Sequence, residues 1–140
     1  MTYIGTSSIS TALFNFTFTG NPATNDYMTL NTLENNITGA SISGTSLTLP
    51  AGGYLLQACI GADRTSGSNA MDWRIEQDSV LIGSVGSMDN SVNDRQGVDQ
   101  CVAQFESGSS STVKIKVTNA TSSAWTISQD YSYLLVIRNG

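Results

Sequence analysis

Residues 47–60, Leu47-Thr48-Leu49-Pro50-Ala51-Gly52-Gly53-Tyr54-Leu55-Leu56-Gln57-Ala58-Cys59-Ile60, decide how the chain is read. An alternating strand, a Pro-Ala-Gly-Gly turn and a second strand apolar on both faces follow one another without a gap. Alternation marks a half-buried strand, the Pro and Gly pair marks a reversal, and an apolar run on both faces marks a strand covered twice. The stretch reads as the entry into the central sheet of a β-sandwich.

Composition agrees with an all-β chain. The 140 residues fit one domain, long enough to bury a real core. Charged residues make up 12%, roughly half the usual share of about 25%, and 20 Ser, 16 Thr and 11 Asn solvate the surface instead. Thr suits a half-buried strand and Ser, Asn and Gly suit tight turns, whereas runs of helical period are missing. A net charge of −5 with six scattered Lys and Arg offers no basic patch for phosphate, which argues against nucleic-acid binding. No apolar run approaches the roughly 18 residues of a membrane span, and the first residues lack the pattern of a signal peptide. The expectation is a chain made inside a cell, with no membrane partner.

Working outward, Thr112-Val113-Lys114-Ile115-Lys116-Val117-Thr118 alternates cleanly and reads as a strand with one wet face. Met71-Asp72-Trp73-Arg74-Ile75-Glu76 does the same, and Gln77-Asp78-Ser79 turns it into Val80-Leu81-Ile82-Gly83 as a hairpin. Four segments are apolar on both faces: 12–18, 54–60, 98–105 and 133–137. A two-sheet sandwich gives each sheet one core face, so such strands need a second cover, and without helices that cover is another subunit. Residues 1–11 show no clear period and read as an arm leading into a domain at 12–140.

Catalytic chemistry is sparse. With no His, His-assisted Ser or Cys catalysis is excluded and metal sites lose their usual imidazole ligands. Asp63, Asp72, Asp78, Asp89, Asp94 and Asp99 share no motif and read as solvated turn residues, so no catalytic residue and no enzyme activity is assigned. The stretch 88–99 concentrates oxygen ligands of the kind Ca²⁺ takes, without the spacing of a calcium loop. A polar inter-strand loop and a Ca²⁺ site are its two readings. Two cysteines are too few for a disulfide scaffold or a structural zinc site, and read as buried apolar thiols.

The order of segments resembles the tumour necrosis factor and complement-globular-head jelly roll over roughly residues 11–140. Its carriers are Phe14-Asn15-Phe16-Thr17-Phe18, Leu49-Pro50-Ala51-Gly52-Gly53-Tyr54 and Tyr133-Leu134-Leu135-Val136-Ile137. The resemblance implies an antiparallel two-sheet jelly-roll sandwich, homotrimeric, whose inner sheet lines a threefold axis. It assigns Phe14, Phe16, Tyr54, Leu56, Cys101, Tyr133, Leu135 and Ile137 to that inner sheet and trimer interface. It also puts Cys59 and Cys101 on adjacent strands, where a cross-strand disulfide is conceivable though a reducing cytosol opposes it. Tyr54, Tyr131 and Tyr133 are then core or subunit-interface anchors, or else a receptor-facing patch, the first reading preferred.

Within that fold, the Leu30-Asn31-Thr32 triplet, the Leu-Pro-Ala-Gly-Gly-Tyr turn and the closing strand look like small virion proteins of tailed bacteriophages. The expectation is a trimeric capsid decoration, head-fibre or tail-knob protein, in the virion. Its arm, through Tyr3 and Ile4, would attach to major capsid or tail proteins, and its loops would reinforce the particle or touch a host-surface glycan. The alternative is a carbohydrate-binding module or lectin-like adhesin that stacks sugars on Trp73 or Trp125.

Overall fold

The computed structural model describes residues 9–64, 69–90, 96–121 and 125–139. In it the chain runs through β1 (Ile9–Thr17), β2 (Thr29–Asn35), β3 (Ser41–Ser43), β4 (Ser46–Leu49), β5 (Gly52–Arg64), β6 (Asn69–Gln77), β7 (Val80–Asn90), β8 (Gln96–Ser107), β9 (Ser111–Ala120) and β10 (Trp125–Asn139). All pairings are antiparallel. They form two five-stranded sheets, an inner one ordered β2-β1-β10-β5-β8 and an outer one ordered β3-β4-β9-β6-β7. The expected all-β jelly-roll sandwich is therefore present. The four doubly apolar segments are β1, β5, β8 and β10, all in the inner sheet, and the alternating segments are β9 and the β6–β7 hairpin in the outer one.

One boundary shifts. β1 begins at Ile9, whose partner is Asn139, so residues 9–11 belong to the domain and not to an arm. Tyr3 and Ile4 lie outside the described residues.

Local chemistry explains the turns. The β6–β7 turn places Asp78 and Ser79 at φ 47° and 70°, the left-handed pair that a two-residue hairpin loop requires. The Asp78 amide donates to Thr112 O at 2.9 Å and its Oδ1 accepts from the Thr112 amide at 2.8 Å, which fastens the turn to β9. Tyr54 Oη donates to Pro50 O at 2.6 Å across the Pro-Ala-Gly-Gly reversal, closing the turn that leads from outer to inner sheet.

The core lies between the sheets. Phe14, Phe16, Leu56, Ile60, Cys101, Leu134 and Val136 of the inner sheet meet Leu47, Leu49, Met71, Trp73, Ile75, Val113, Ile115 and Val117 of the outer one, all without exposed surface. Trp73 Nε1 donates to Ala58 O at 3.3 Å, so the indole ties the sheets together as well as filling space.

At one side the sandwich is nearly closed. β7 leans onto β8, where Ser84 Oγ accepts from the Val102 amide at 2.9 Å and Asp99 Oδ2 accepts from the Ser87 amide at 2.9 Å. This approach needs glycines. A Cβ on Gly83, at φ 71°, would stand 2.2 Å from Val102 O, and one on Gly86 would stand 2.3 Å from the Trp73 indole. Gly86→Ala forces the buried indole aside and should destabilise the fold by about 1–3 kcal/mol, read as a lower urea midpoint.

Candidate subunit interface

Strand geometry sends successive side chains to opposite faces, so each inner-sheet strand divides into a core set and an outward set. Pairing aligns the outward sets into rows. Asn15, Tyr133, Cys59 and Gln100 form one row across β1, β10, β5 and β8; Leu13, Leu135, Gln57 and Val102 form the next. Thr11, Ile137, Leu55 and Gln104 form the third. Leu33, the extra residue of a β2 bulge opposite Leu13 and Phe14, joins them at the edge. On this face Ile9, Leu33, Leu55, Val98 and Val102 are exposed, at 39–67% of their full surface. Two shallow depressions of about 620 and 450 Å³ open on it, one around Leu55 and Ile137, the other around Leu13, Leu33 and Tyr133.

The opposite outer face is built differently. On the outer sheet Lys116 Nζ lies 3.8 Å from Glu76 Oε2, and Tyr27 Oη donates to both Glu76 oxygens at 3.2 and 3.1 Å. The Lys114 ammonium sits 4.9 Å from the Tyr27 ring centre, and Ser87 Oγ donates to Asp72 Oδ1 at 2.5 Å. Its charges have local partners, and it carries the water-facing role. The apolar inner-sheet face is the anomaly, since contiguous exposed apolar patches mark interaction surfaces.

The eight residues assigned to the interface all fall on the inner sheet, but not all on its outward face. Phe14, Phe16, Leu56 and Cys101 have no exposed surface and Tyr54 only 4%, because their positions alternate into the core. They pack in the core of the sandwich. Tyr133, Leu135 and Ile137 point outward and remain half-buried. The outward residues that the sequence reading passed over are Leu13, Leu33, Leu55, Gln57, Val98 and Val102. Their signal was the carboxamides interleaved with them: Asn15, Gln57, Gln100 and Gln104 occupy the same alternating positions, and polar groups mark the side away from a protomer's core.

The cysteines follow the same parity. Cys101 pairs with Ala58 and Cys59 with Gln100, so adjacent strands hold the thiols on opposite faces of one sheet and no disulfide joins them. Cys59 Sγ donates to Tyr131 O at 3.7 Å, where β10 bulges over Gly61; a Cβ there would stand 2.5 Å from that of Tyr131. Burial raises the Cys59 thiol, partly opposed by its contact with Tyr133. Burial likewise raises the Tyr133 phenol, with Cys59 adding to the effect.

Trp73 and Trp125 are completely buried, which removes the sugar-stacking platform that a lectin would need from them. Among the described residues no group of three or more His, Cys, Asp or Glu is placed to hold a metal. Residues 91–95 of the stretch read as a polar loop or a Ca²⁺ site lie outside the described residues. Of its neighbours, Met88 packs into the core and Asp99 accepts from Ser87.

No family model matches the sequence, and neither does any curated protein. Solved structures do match the fold. Murine APRIL at pH 8.0 superposes with a TM-score of 0.66 at 10% identity, covering 94% of this chain and 99% of that one. The globular domain of zebrafish complement 1qA protein gives 0.66 at 12% identity, over 94% and 96%. Eiger TNF from S. frugiperda gives 0.61 at 10% identity, over 93% and 92%. The chain is thus a jelly roll of the tumour necrosis factor and complement 1q type. At these identities the likeness is one of fold.

Burial pushes the Cys101 thiol from an ordinary value near 9 up to about 11. Between these values the folded chain keeps a proton that the unfolded chain has lost, so stability is full below about pH 9 and falls as pH rises toward 11. The unfolding free energy from urea titrations should decline across that range by an amount approaching about 3 kcal/mol, and Cys101→Ala should flatten the decline relative to the parent.

Proposed function

We propose that this chain is the protomer of a homotrimer closed through the outward face of its inner sheet, and that the trimer is a structural and adhesive component of a bacteriophage particle. One observation carries the assembly: a sheet already packed on one side by the core turns Leu13, Leu33, Leu55, Val102, Tyr133, Leu135 and Ile137 to the other, with Leu33, Leu55 and Val102 exposed and the rest half-buried. The fold supports three copies, since the resemblance to tumour necrosis factor and complement globular heads implies a homotrimer through this sheet. Burial of about 800 Å² per subunit is the usual size of a stable contact, and an apolar face of three or four strands offers that scale.

The virion role rests on polarity of the molecule. Ile9 pairs with Asn139, so both ends of the described chain leave the base of the sandwich. The C-terminal end of β5 and the N-terminal ends of β6 and β10 lie at the other end, where Arg64 pairs with Trp125 and Asn69 with Asn90. Residues before β1 would anchor the trimer on major capsid or tail proteins, while the far loops project toward neighbouring capsomers or a host surface. The work is mechanical binding and needs no cofactor.

Light scattering on the purified chain should give three times its 14.8 kDa mass. Leu135→Asp puts a charge on the outward face and should give a folded monomer whose thermal midpoint lies below that of the trimeric parent, whereas Leu134→Asp, one residue away in the core, should not fold. A monomeric parent chain overturns the trimer. Absence of the chain from purified phage particles by mass spectrometry overturns the virion role.

A further inference from the structure

The apolar face has a polar centre. In the row Leu13, Leu135, Gln57, Val102, the only polar side chain is Gln57, on β5, flanked by β10 and β8. Its Nε2 donates to Gln100 Oε1 in the adjoining row, which links the two carboxamides into one unit. That bond uses one of Gln57's two amide hydrogens and one carbonyl. Gln57 Oε1 and the Gln100 amide have no side-chain partner within the protomer among the described residues, and water satisfies them only while the face is open.

We infer that Gln57 and Gln100 determine how many copies assemble and in what register, by completing their hydrogen bonds on the same pair in neighbouring copies. The inference rests on the trimer reading and deepens it. A carboxamide carries donors and an acceptor together, so identical pairs around a rotation axis can satisfy one another, which the purely apolar side chains around them cannot do. No Lys or Arg side chain is described on this face, so no ion pair competes for the role. The occupant with matching chemistry is another copy of this chain. Leaving these groups unpaired in a closed interface costs about 1–3 kcal/mol each, so registers that separate them are disfavoured. A single buried polar residue in an apolar seam acts in this way elsewhere, fixing register and copy number at a cost in stability.

The test is native mass spectrometry and sedimentation of the full chain, the double variant Gln57→Leu with Gln100→Leu, and the control Gln104→Leu. Gln104 shares the face, in the row of Leu55 and Ile137, without being bonded to the pair. The double variant should associate at least tenfold more tightly yet distribute over several oligomeric states, while the control keeps a single trimer. A double variant that remains a homogeneous trimer overturns the inference and leaves the trimer reading standing. So does one that dissociates without new states, since the pair would then contribute affinity alone. A monomeric parent chain overturns both. Because these side chains point away from the core, each variant should keep the parent's circular dichroism spectrum; Gln57→Met alone, closer in shape to Gln, repeats the comparison if the double variant does not.

Discussion

A sheet with apolar side chains on both faces is the constraint on which the rest depends. The sandwich covers one face of β2-β1-β10-β5-β8 with Trp73, Ile75, Ile115 and their neighbours, and there the protomer runs out of material. The chain has no helix among the described residues to lay over the second face. At roughly 25 cal/mol per Å² of apolar surface, leaving such a face wet forgoes more free energy than a domain's usual margin of about 5–15 kcal/mol allows one to ignore. The outer sheet shows the alternative solution. Its exposed side is wet by design, with Glu76 held by Tyr27 and Lys116, so the two outer surfaces of one sandwich serve different ends.

Much of this was legible in the residues. Doubly apolar segments identified the inner-sheet strands, clean alternation identified β9 and the β6–β7 hairpin, and the Asp78-Ser79 pair located a turn with the required left-handed φ. What alternation left open was phase. In Ala12-Leu13-Phe14-Asn15-Phe16 both sets look apolar, and the bulkier aromatic set was read as interface when it is core. Phase is a tertiary property, because a shift of one residue exchanges the faces and only packing against the other sheet decides between them. The carboxamides resolve it in retrospect. Asn15, Gln57, Gln100 and Gln104 share one phase, and that phase excludes them from the dry core.

The same phase disposes of the side chains with the most chemical promise. Cys59 and Cys101 sit on neighbouring strands, one position out of step, so their thiols are separated by the thickness of a sheet. Trp73 and Trp125, the obvious platforms for a sugar, are the largest side chains in the core. Indole is the natural filler where two twisted sheets diverge, and Trp73 also donates to Ala58 O, a bond it would lose by turning outward. Reactive or aromatic residue types in a small sandwich are drawn to packing first; a binding role needs exposure, which the sequence does not display.

Strand order then divides the molecule along its length. Antiparallel connections alternate ends, and with ten strands between Ile9 and Asn139 both chain ends fall at the base. The strand ends at Arg64, Asn90 and Ala120, from which the chain crosses between the sheets, fall at the opposite end. Closing of the β7–β8 side by Gly83 and Gly86 leaves that flank with little backbone to offer a foreign strand, which removes one route to uncontrolled edge pairing. In the proposed role, attachment at the base, assembly through the inner sheet and contact at the loop end would use three different surfaces. A change in the loops would alter what is contacted without disturbing assembly, because the rows that carry Leu135 and Gln57 lie in the middle of the sheet, away from both ends.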